Sequence, residues 1–294
     1  IGEYEMFSYL YQFLDSFSFL VLAVSGLSII FGMMGIINLA HGEFIMLGAY
    51  AMTIMAKASV PLPLAIILAA VLVGAVGFVV DKLVVCRLYD RPVDSVVATW
   101  GISLLLRQGI LILLGPSLPG LTTPMGTFMV GGTSYSIYRM VLAAIAIVLL
   151  VFMYWLFMHT RFGMHSRATM QNSAMAQAMG VNTSQMYSLT FTIGSALAGL
   201  CGALYGPTMT ITPVMGQAFQ NDSFVTVIVG GANPLIGTAL SGTVLGIIQS
   251  VLNITIGTFF GKMGLLIVAI IVIRVLPKGF SGMVESYMIK RKNR

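Results

Sequence analysis

The sequence predicts an all-α fold, a polytopic bundle of membrane-spanning helices. Hydrophobic residues make up 58% of the 294 residues and charged residues only 8%, and the mean hydropathy is +0.97. A soluble domain does not carry so much apolar surface. The apolar residues also recur in runs of roughly 20, the length that a helix needs to cross a bilayer. We therefore treat 1–294 as a single transmembrane domain with two halves, 1–115 and 140–280.

The apolar runs predict about eight spanning helices, with two irregular segments in addition. The predicted spans are 9–31, 43–58, 62–84, 96–115, 140–158, 186–206, 238–256 and 264–276.

The basic residues predict the orientation of the chain. Cytoplasmic loops of membrane proteins are rich in Lys and Arg. Eleven of the 15 basic residues fall on one side if 82–91, 161–167 and the tail 278–294 with Arg274 are cytoplasmic. The remaining four are Lys57, Arg107, Arg139 and Lys262. This bias explains the net charge of +6 without a nucleic-acid partner and places the loop 116–138 outside.

Two segments interrupt the apolar pattern with glycine and polar residues. The first, 31–43, contains Asn38, His41 and Glu43, and the second, 225–237, contains Asn233 followed by proline. Backbone at membrane depth departs from a helix only where protein or water satisfies its polar groups, so both breaks are expected inside the bundle.

The two breaks share the order of an apolar run, a glycine pair and an asparagine. Corresponding breaks in two halves mark the substrate path of many transporters. We expect an inverted repeat in which 27–38 corresponds to 225–233 and the two breaks lie close together.

The polar residues of the expected path have structural readings as well. Glu43 is suited to the first turn of a helix, where the dipole favours a carboxylate. Asp222 is suited to capping a helix that begins at Ser223, and Asn38 and His41 to bonding neighbouring helices. The residues considered for the path are Asn38, His41, Glu43, Arg107, Gln108, Asp222 and Asn233.

Arg107 lies in the middle of a predicted span. An arginine there costs about 2.5–3.5 kcal/mol on insertion scales, so it must point inward or snorkel to the surface. We expect that Arg107, with Gln108 beside it, braces the outer part of the path or pairs with Asp222.

Small residues recur every four positions in the span 186–206. Such spacing allows two helices to approach closely. The residues that carry this packing prediction are Gly194, Ala198, Gly202 and Gly206.

The sequence contains no catalytic or metal-binding motif. It has no phosphate-binding Gly-Lys-Ser/Thr loop, no His/Glu pair at helical spacing and no nucleophile with a neighbouring base. We expect a transport subunit that is not an enzyme, so another chain must supply any energy.

A polar segment, 161–185, separates two long apolar runs. Its run SAMAQAMG at 173–180 predicts a short helix of small residues, offered to a soluble cytoplasmic partner. The alternative is an ordinary surface helix between two spans.

The motifs resemble those of the membrane permeases of ATP-binding-cassette importers for branched-chain amino acids, urea and short-chain amides. The resemblance rests on GIINLAHGE at 35–43 with GAY at 48–50, on 172–181, and on DSFVTVIVGG at 222–231 continuing to residue 237. These motifs lie in order across most of the chain. Within the family, ATWG at 98–101, MQN at 170–172 and GQ at 216–217 resemble the urea and amide branch. The run GANP at 231–234 departs from the family's Gly-Gly-x-Gly-Asn pattern.

The resemblance implies a bacterial inner-membrane complex of several subunits. Two permeases, identical or homologous, would associate with two cytoplasmic ATPases that bind ATP and Mg, and with an extracytoplasmic substrate-binding protein. This chain would bind no cofactor itself. The segment 161–185 then resembles the coupling helix. Its expected residues are Asn172 or Ser173 as the N-cap, Ala174, Ala176 and Ala178 in the helix, and Gly180 at its end.

The expected function is alternating-access import of a small polar solute, with urea or a short-chain amide favoured. A branched-chain amino acid is the alternative within the same family. A passive urea channel and a proton-coupled secondary transporter are the alternatives from other classes. A channel would have no reason to present a coupling helix, and a proton-coupled carrier would need titratable groups at mid-membrane, where only Glu43 and Arg107 come near.

Overall fold

A computed structural model describes residues 3–89, 91–231 and 233–284, and most of them are helical. The predicted basic tail falls largely outside the described residues, because these end at residue 284.

The secondary structure is a succession of helices with one small hairpin. The helices are α1 (Glu3–Met34), α2 (His41–Lys57), α3 (Leu62–Leu83), α4 (Pro92–Leu114), α5 (Ile137–His159), α6 (Arg161–Gln171), α7 (Ser173–Ala178), α8 (Thr183–Tyr205), α9 (Gly216–Gly230), α10 (Pro234–Thr255) and α11 (Thr258–Val275). The strands β1 (Thr127–Val130) and β2 (Thr133–Ser136) form an antiparallel hairpin between α4 and α5.

Seven helices in the described part of the chain are long and apolar enough to cross a membrane: α1, α3, α4, α5, α8, α10 and α11. The prediction of a polytopic helical bundle is therefore confirmed. The remaining predicted span, 43–58, is α2, which has 17 residues and is mostly buried by other helices.

Helix α8 lies at the centre of the bundle and packs against α1, α2 and α3. A Cβ atom on Gly194 would overlap Gly26 and Ile30 of α1, and one on Gly202 would overlap the Ile45 carbonyl of α2. Ala198 is also near Gly26. Backbones at this separation exclude side chains, so the small residues of α8 fix how closely these helices pack.

Two more glycine contacts join α8 to its neighbours. Gly206, just beyond the last turn of α8, packs against the Met52 side chain of α2. On α3, a Cβ on Gly77 would overlap the Ser195 side chain. Three helices, α1, α2 and α3, thus pack closely on α8 through glycine.

The chain turns back on itself after α1. Gly35, with φ +65°, follows the last residue of α1, and six residues later the His41 ring Nε2 lies 2.8 Å from the carbonyl of Ala23. Ala23 precedes the end of α1 by eleven residues, so 35–40 returns by about 16 Å along that helix. Helix α2 therefore begins halfway through the bundle.

Helix α9 begins at a similar depth, after the chain leaves the end of α8 and turns back into the bundle. The Phe219 ring in its first turns lies 4.9 Å from the Phe19 ring of α1, centroid to centroid. Gly216 at its start packs directly on Gly42 of α2. The N-termini of α2 and α9 consequently meet inside the bundle.

The structure corrects two predictions about the second break. Helix α9 begins at Gly216, so Asp222 lies within that helix and does not cap one at Ser223. Phe31 lines a small cavity with Gly231, but Asn38 hydrogen-bonds to Gln220, which precedes Gly231 by eleven residues or about 16 Å of helix. Asn38 and Asn233 therefore do not lie side by side as expected, because the helix that meets the start of α2 is α9, and the repeat itself stays a prediction.

We expect Gly202→Ala to destabilise the protein by about 2 kcal/mol, because the new methyl group must displace the Ile45 carbonyl. The matched control is Gly101→Ala in α4, where a Cβ meets no atom within 4 Å and helix propensity favours alanine. The measurement is the thermal unfolding midpoint of the detergent-solubilised protein. Equal midpoints for the two variants would contradict the packing argument.

Candidate functional site

The candidate site is the junction where α2 and α9 begin. The Gln220 side chain of α9 bridges the two segments: its Oε1 accepts a hydrogen bond from the Gly42 backbone N–H, and its Nε2 donates to the Asn38 carbonyl at 3.2 Å. Asn38 Oδ1 accepts from the Ala40 N–H at 3.0 Å and closes the turn before α2. One amide side chain thus hydrogen-bonds both to the segment that precedes α2 and to the first turn of α2.

Glu43 forms the main charged contact of the junction. It lies in the first turn of α2, as the sequence predicts. Its Oε1 accepts from Ser103 Oγ at 3.0 Å, from Arg107 Nη2 at 2.5 Å and from Arg107 Nε at 3.2 Å. The Glu43 side chain is 3% exposed and that of Arg107 is 23% exposed. The predicted pairing of Arg107 with Asp222 is wrong, since the guanidinium neutralises Glu43 instead.

Helix α4 supplies a polar stripe that the analysis of the sequence missed. Its buried residues are Ser95, Thr99 and Ser103, and Thr99 Oγ1 accepts from the Leu39 N–H of the first break at 3.1 Å. With Arg107 these residues repeat every four positions and therefore share one helical face. Polar residues at four-residue spacing within an apolar span could have revealed this stripe from the sequence.

Several polar atoms at the junction are buried without a hydrogen-bond partner among the described residues. They are Asn38 Nδ2, His41 Nδ1 and Glu43 Oε2. The junction also receives the positive ends of two helix dipoles. Its ion pair cancels in charge, so the site offers hydrogen bonds and helix N-termini to a solute and no net formal charge.

The structure does not bring the other predicted path residues to this junction. Gln108 is exposed on α4. Asn233 is the N-cap of α10, where its Oδ1 accepts from the Leu235 and Ile236 N–H groups at 3.1 and 3.3 Å. Asp222 lines a separate cavity, together with Lys262.

The polar segment 161–185 forms α6 and α7. Asn172 caps α7 through a 2.9 Å bond from the Met175 N–H to its Oδ1, and Gly180 has φ +87° just after the helix, as predicted. Ala176 is buried at 4% exposure, whereas Met175 and Met179 are 61% and 80% exposed. Ala176 therefore anchors α7 to its own chain.

The free face of α7 is made of its exposed residues other than Gln177, whose side chain bonds Thr183, together with its C-cap. They are Ala174, Met175, Ala178 and Met179.

We expect Glu43→Gln and Arg107→Gln each to lower the unfolding free energy by about 2 kcal/mol, because each leaves a partly buried charge without its partner. The double variant should lose less than the sum of the two. Ser103→Ala is the control, since it removes one hydrogen bond and leaves both charges paired. A double-mutant cycle on chemical unfolding measures the coupling, and additive losses would contradict the ion pair.

Comparisons with known proteins identify the family of this chain. The family model described as branched-chain amino acid transport system / permease component matches residues 9–276. The chain is 26% identical to the high-affinity branched-chain amino acid transport system permease protein LivH of Escherichia coli K12, over 88% of this chain and 90% of that protein.

Two further relatives are of the same kind. BraD of Pseudomonas aeruginosa, a high-affinity branched-chain amino acid transport system permease protein, is 27% identical over 84% of this chain and 87% of that protein. The probable branched-chain amino acid transport permease protein LivH of Methanocaldococcus jannaschii is 26% identical over 90% and 88%. No solved structure matches. The chain therefore belongs to the family of branched-chain amino acid transport permease components, and it is a multi-pass inner-membrane transport subunit, not an enzyme.

Proposed function

We propose that this chain lines the translocation path of an ATP-driven importer for branched-chain amino acids, together with a second permease subunit. The observation that carries the proposal is the family match over residues 9–276, which contains both helices of the junction and the cytoplasmic segment 161–185. The relatives that match nearly end to end are branched-chain amino acid permeases by name.

The junction of α2 and α9 suits a zwitterionic solute. In transporters, helices that begin near the midplane direct their N-termini at anionic groups of the substrate. Here two such N-termini meet at Gly42 and Gly216, and the Glu43–Arg107 pair adds no net charge. A solute with zero net charge and a carboxylate fits these groups without leaving an unbalanced charge in the bundle.

Urea or a short-chain amide is the second candidate, and it rests on the segments 98–101, 170–172 and 216–217. Residues in these segments have local structural roles: Thr99 bonds the Leu39 N–H, Asn172 caps α7 and Gly216 packs on Gly42. Such roles do not depend on the solute. We therefore favour the amino acid.

In this proposal, ATP hydrolysis by a partner subunit acts on this chain through the segment 161–185. We assign the free face of α7 to a cytoplasmic ATPase subunit that binds ATP and Mg, with an extracytoplasmic binding protein delivering the solute. Because α7 follows α6 and precedes α8, the central helix of the bundle, a push on α7 reaches the core of the protein.

The first test is uptake of labelled leucine and urea by proteoliposomes that contain the whole complex and its binding protein. We expect leucine uptake to exceed, by about tenfold or more, that of a complex whose ATPase cannot hydrolyse ATP. We expect no ATP-dependent uptake of urea, and no effect of a proton uncoupler on leucine.

Three outcomes of the uptake test contradict the proposal in different ways. Flux without ATP indicates a channel, loss of uptake with the uncoupler indicates a proton-coupled carrier, and ATP-driven urea uptake without leucine uptake indicates the amide branch.

The second test is Ala178→Trp on the free face of α7. A bulky ring there should block docking, so ATPase stimulation by loaded binding protein should fall about tenfold while basal ATPase activity of the partner stays unchanged. Ala144→Trp on an exposed position of α5 is the matched control. Normal stimulation in Ala178→Trp would contradict the docking assignment.

A further inference from the structure

We propose that the outer cavity between α1, α9, α10 and α11 is an entry site that holds an aliphatic amino acid before it reaches the junction. Asp222 would bind the ammonium group and Lys262 the carboxylate. This inference rests on the proposed function, which it extends to a second site within this one chain.

The cavity has a volume of about 490 Å³ and lies on the outer side of α9. Its wall includes the loop 208–215, which follows the outer end of α8. A volume of this size lies within the range of small-ligand pockets, and it is ample for an amino acid such as leucine.

Three residues that line this cavity each carry a buried polar atom without a hydrogen-bond partner among the described residues. They are Asp222 Oδ2, Gln249 Oε1 and Asn253 Oδ1. Buried polar atoms are normally satisfied, so a cluster of unsatisfied ones requires an explanation. All three are acceptors, which suits a group that donates several hydrogen bonds, such as an ammonium.

Opposite charges line the cavity without forming an ion pair. Lys262 lies in the same cavity wall as Asp222, yet no contact of 4 Å or less joins them in the part of the chain that the structure describes. A zwitterion carries opposite charges at a short separation and can bridge such a gap.

The second pair of charges in the wall is already satisfied. Arg139 Nη1 lies 2.5 Å from Asp15 Oδ2. This pair therefore closes the outer rim between α5 and α1 and leaves Asp222 and Lys262 to a solute.

Aromatic rings form the apolar part of the wall. The Phe219 ring lies 4.9 Å from Phe19 and 5.8 Å from Tyr205, and Phe19 lies 5.4 Å from Tyr205, centroid to centroid. An aliphatic side chain is stabilised by burial against such a surface. Urea has no comparable apolar part, so this wall favours a branched aliphatic solute.

Helix α9 separates this cavity from the junction. Phe219 faces the cavity, while the next residue, Gln220, bonds α2 and the first break. A shift of the first turns of α9 would consequently act on both sites, which couples the entry site to the junction.

The test is protection of a cysteine in the cavity wall. Thr210→Cys is exposed and lines the cavity, and it is labelled from outside with a membrane-impermeant thiol reagent in the intact complex without ATP. The native cysteines should not react with the reagent. Cys201 is buried, and Cys86 lies just beyond α3 in the segment 82–91, which is predicted to be cytoplasmic. We expect leucine to slow labelling, whereas isopentylamine and isocaproate, which lack the carboxylate and the amine, should give no protection at the same millimolar concentrations.

The charges are tested in the same background. Asp222→Asn and Lys262→Gln should each raise the leucine concentration for half-protection by about tenfold, because each removes a charge-assisted contact. The matched controls are Asp94→Asn and Lys57→Gln, which lie outside the cavity, and Thr122→Cys on the outer loop as an unprotected site. Lys262 is exposed, so its variant tests the site even if Asp222→Asn misfolds.

The two proposals fail separately. No protection by leucine, or protection unchanged in Lys262→Gln, overturns the entry site, and ATP-driven leucine uptake in the same preparation then leaves the proposed function standing. Protection without ATP-driven uptake supports the entry site and overturns the proposed function.

Discussion

The fold depends on satisfying two helix N-termini that lie inside an apolar bundle. Each helix start leaves backbone N–H groups without intrahelical partners, and burying such groups unpaired costs several kcal/mol. Gln220 satisfies the Gly42 N–H and the carbonyl of Asn38. Gly42 and Gly216 let the two helix ends touch. One polar side chain and two glycines, which lack side chains, therefore lower the cost of burying this polar junction.

The ion pair of Glu43 and Arg107 has a second role in attaching α4. The apolar residues of this helix are largely exposed, with Leu105 75% and Leu113 79% accessible, whereas its polar stripe faces inward. Burial of apolar surface therefore contributes little to holding α4 on this chain. The contacts of Thr99, Ser103 and Arg107 with α2 and the break before it hold it instead.

Local patterns in the sequence predict local features of this structure well. Apolar runs locate the spans, and a small-residue run preceded by asparagine locates α7 and its cap. Periodicity does not predict the start of α9, because its polar residues Gln217, Gln220 and Asp222 look like a loop. The partner of Arg107 was equally hidden, since sequence spacing cannot rank Glu43 against Asp222 without the helix arrangement.

The glycine contacts around α8 have a mechanical consequence. Backbones that touch cannot slide past each other without a clash, so α1, α2, α3 and α8 behave as one stiff block. In the transport cycle that we propose, alternation between two open states would take place at its margins, where the spans of α4 and α11 are only 11% and 17% buried. The turn at Gly231, between α9 and α10, has φ +86° and packs against Lys278 and Ser281, which follow α11. The proposed cycle would then move the peripheral helices around a rigid centre.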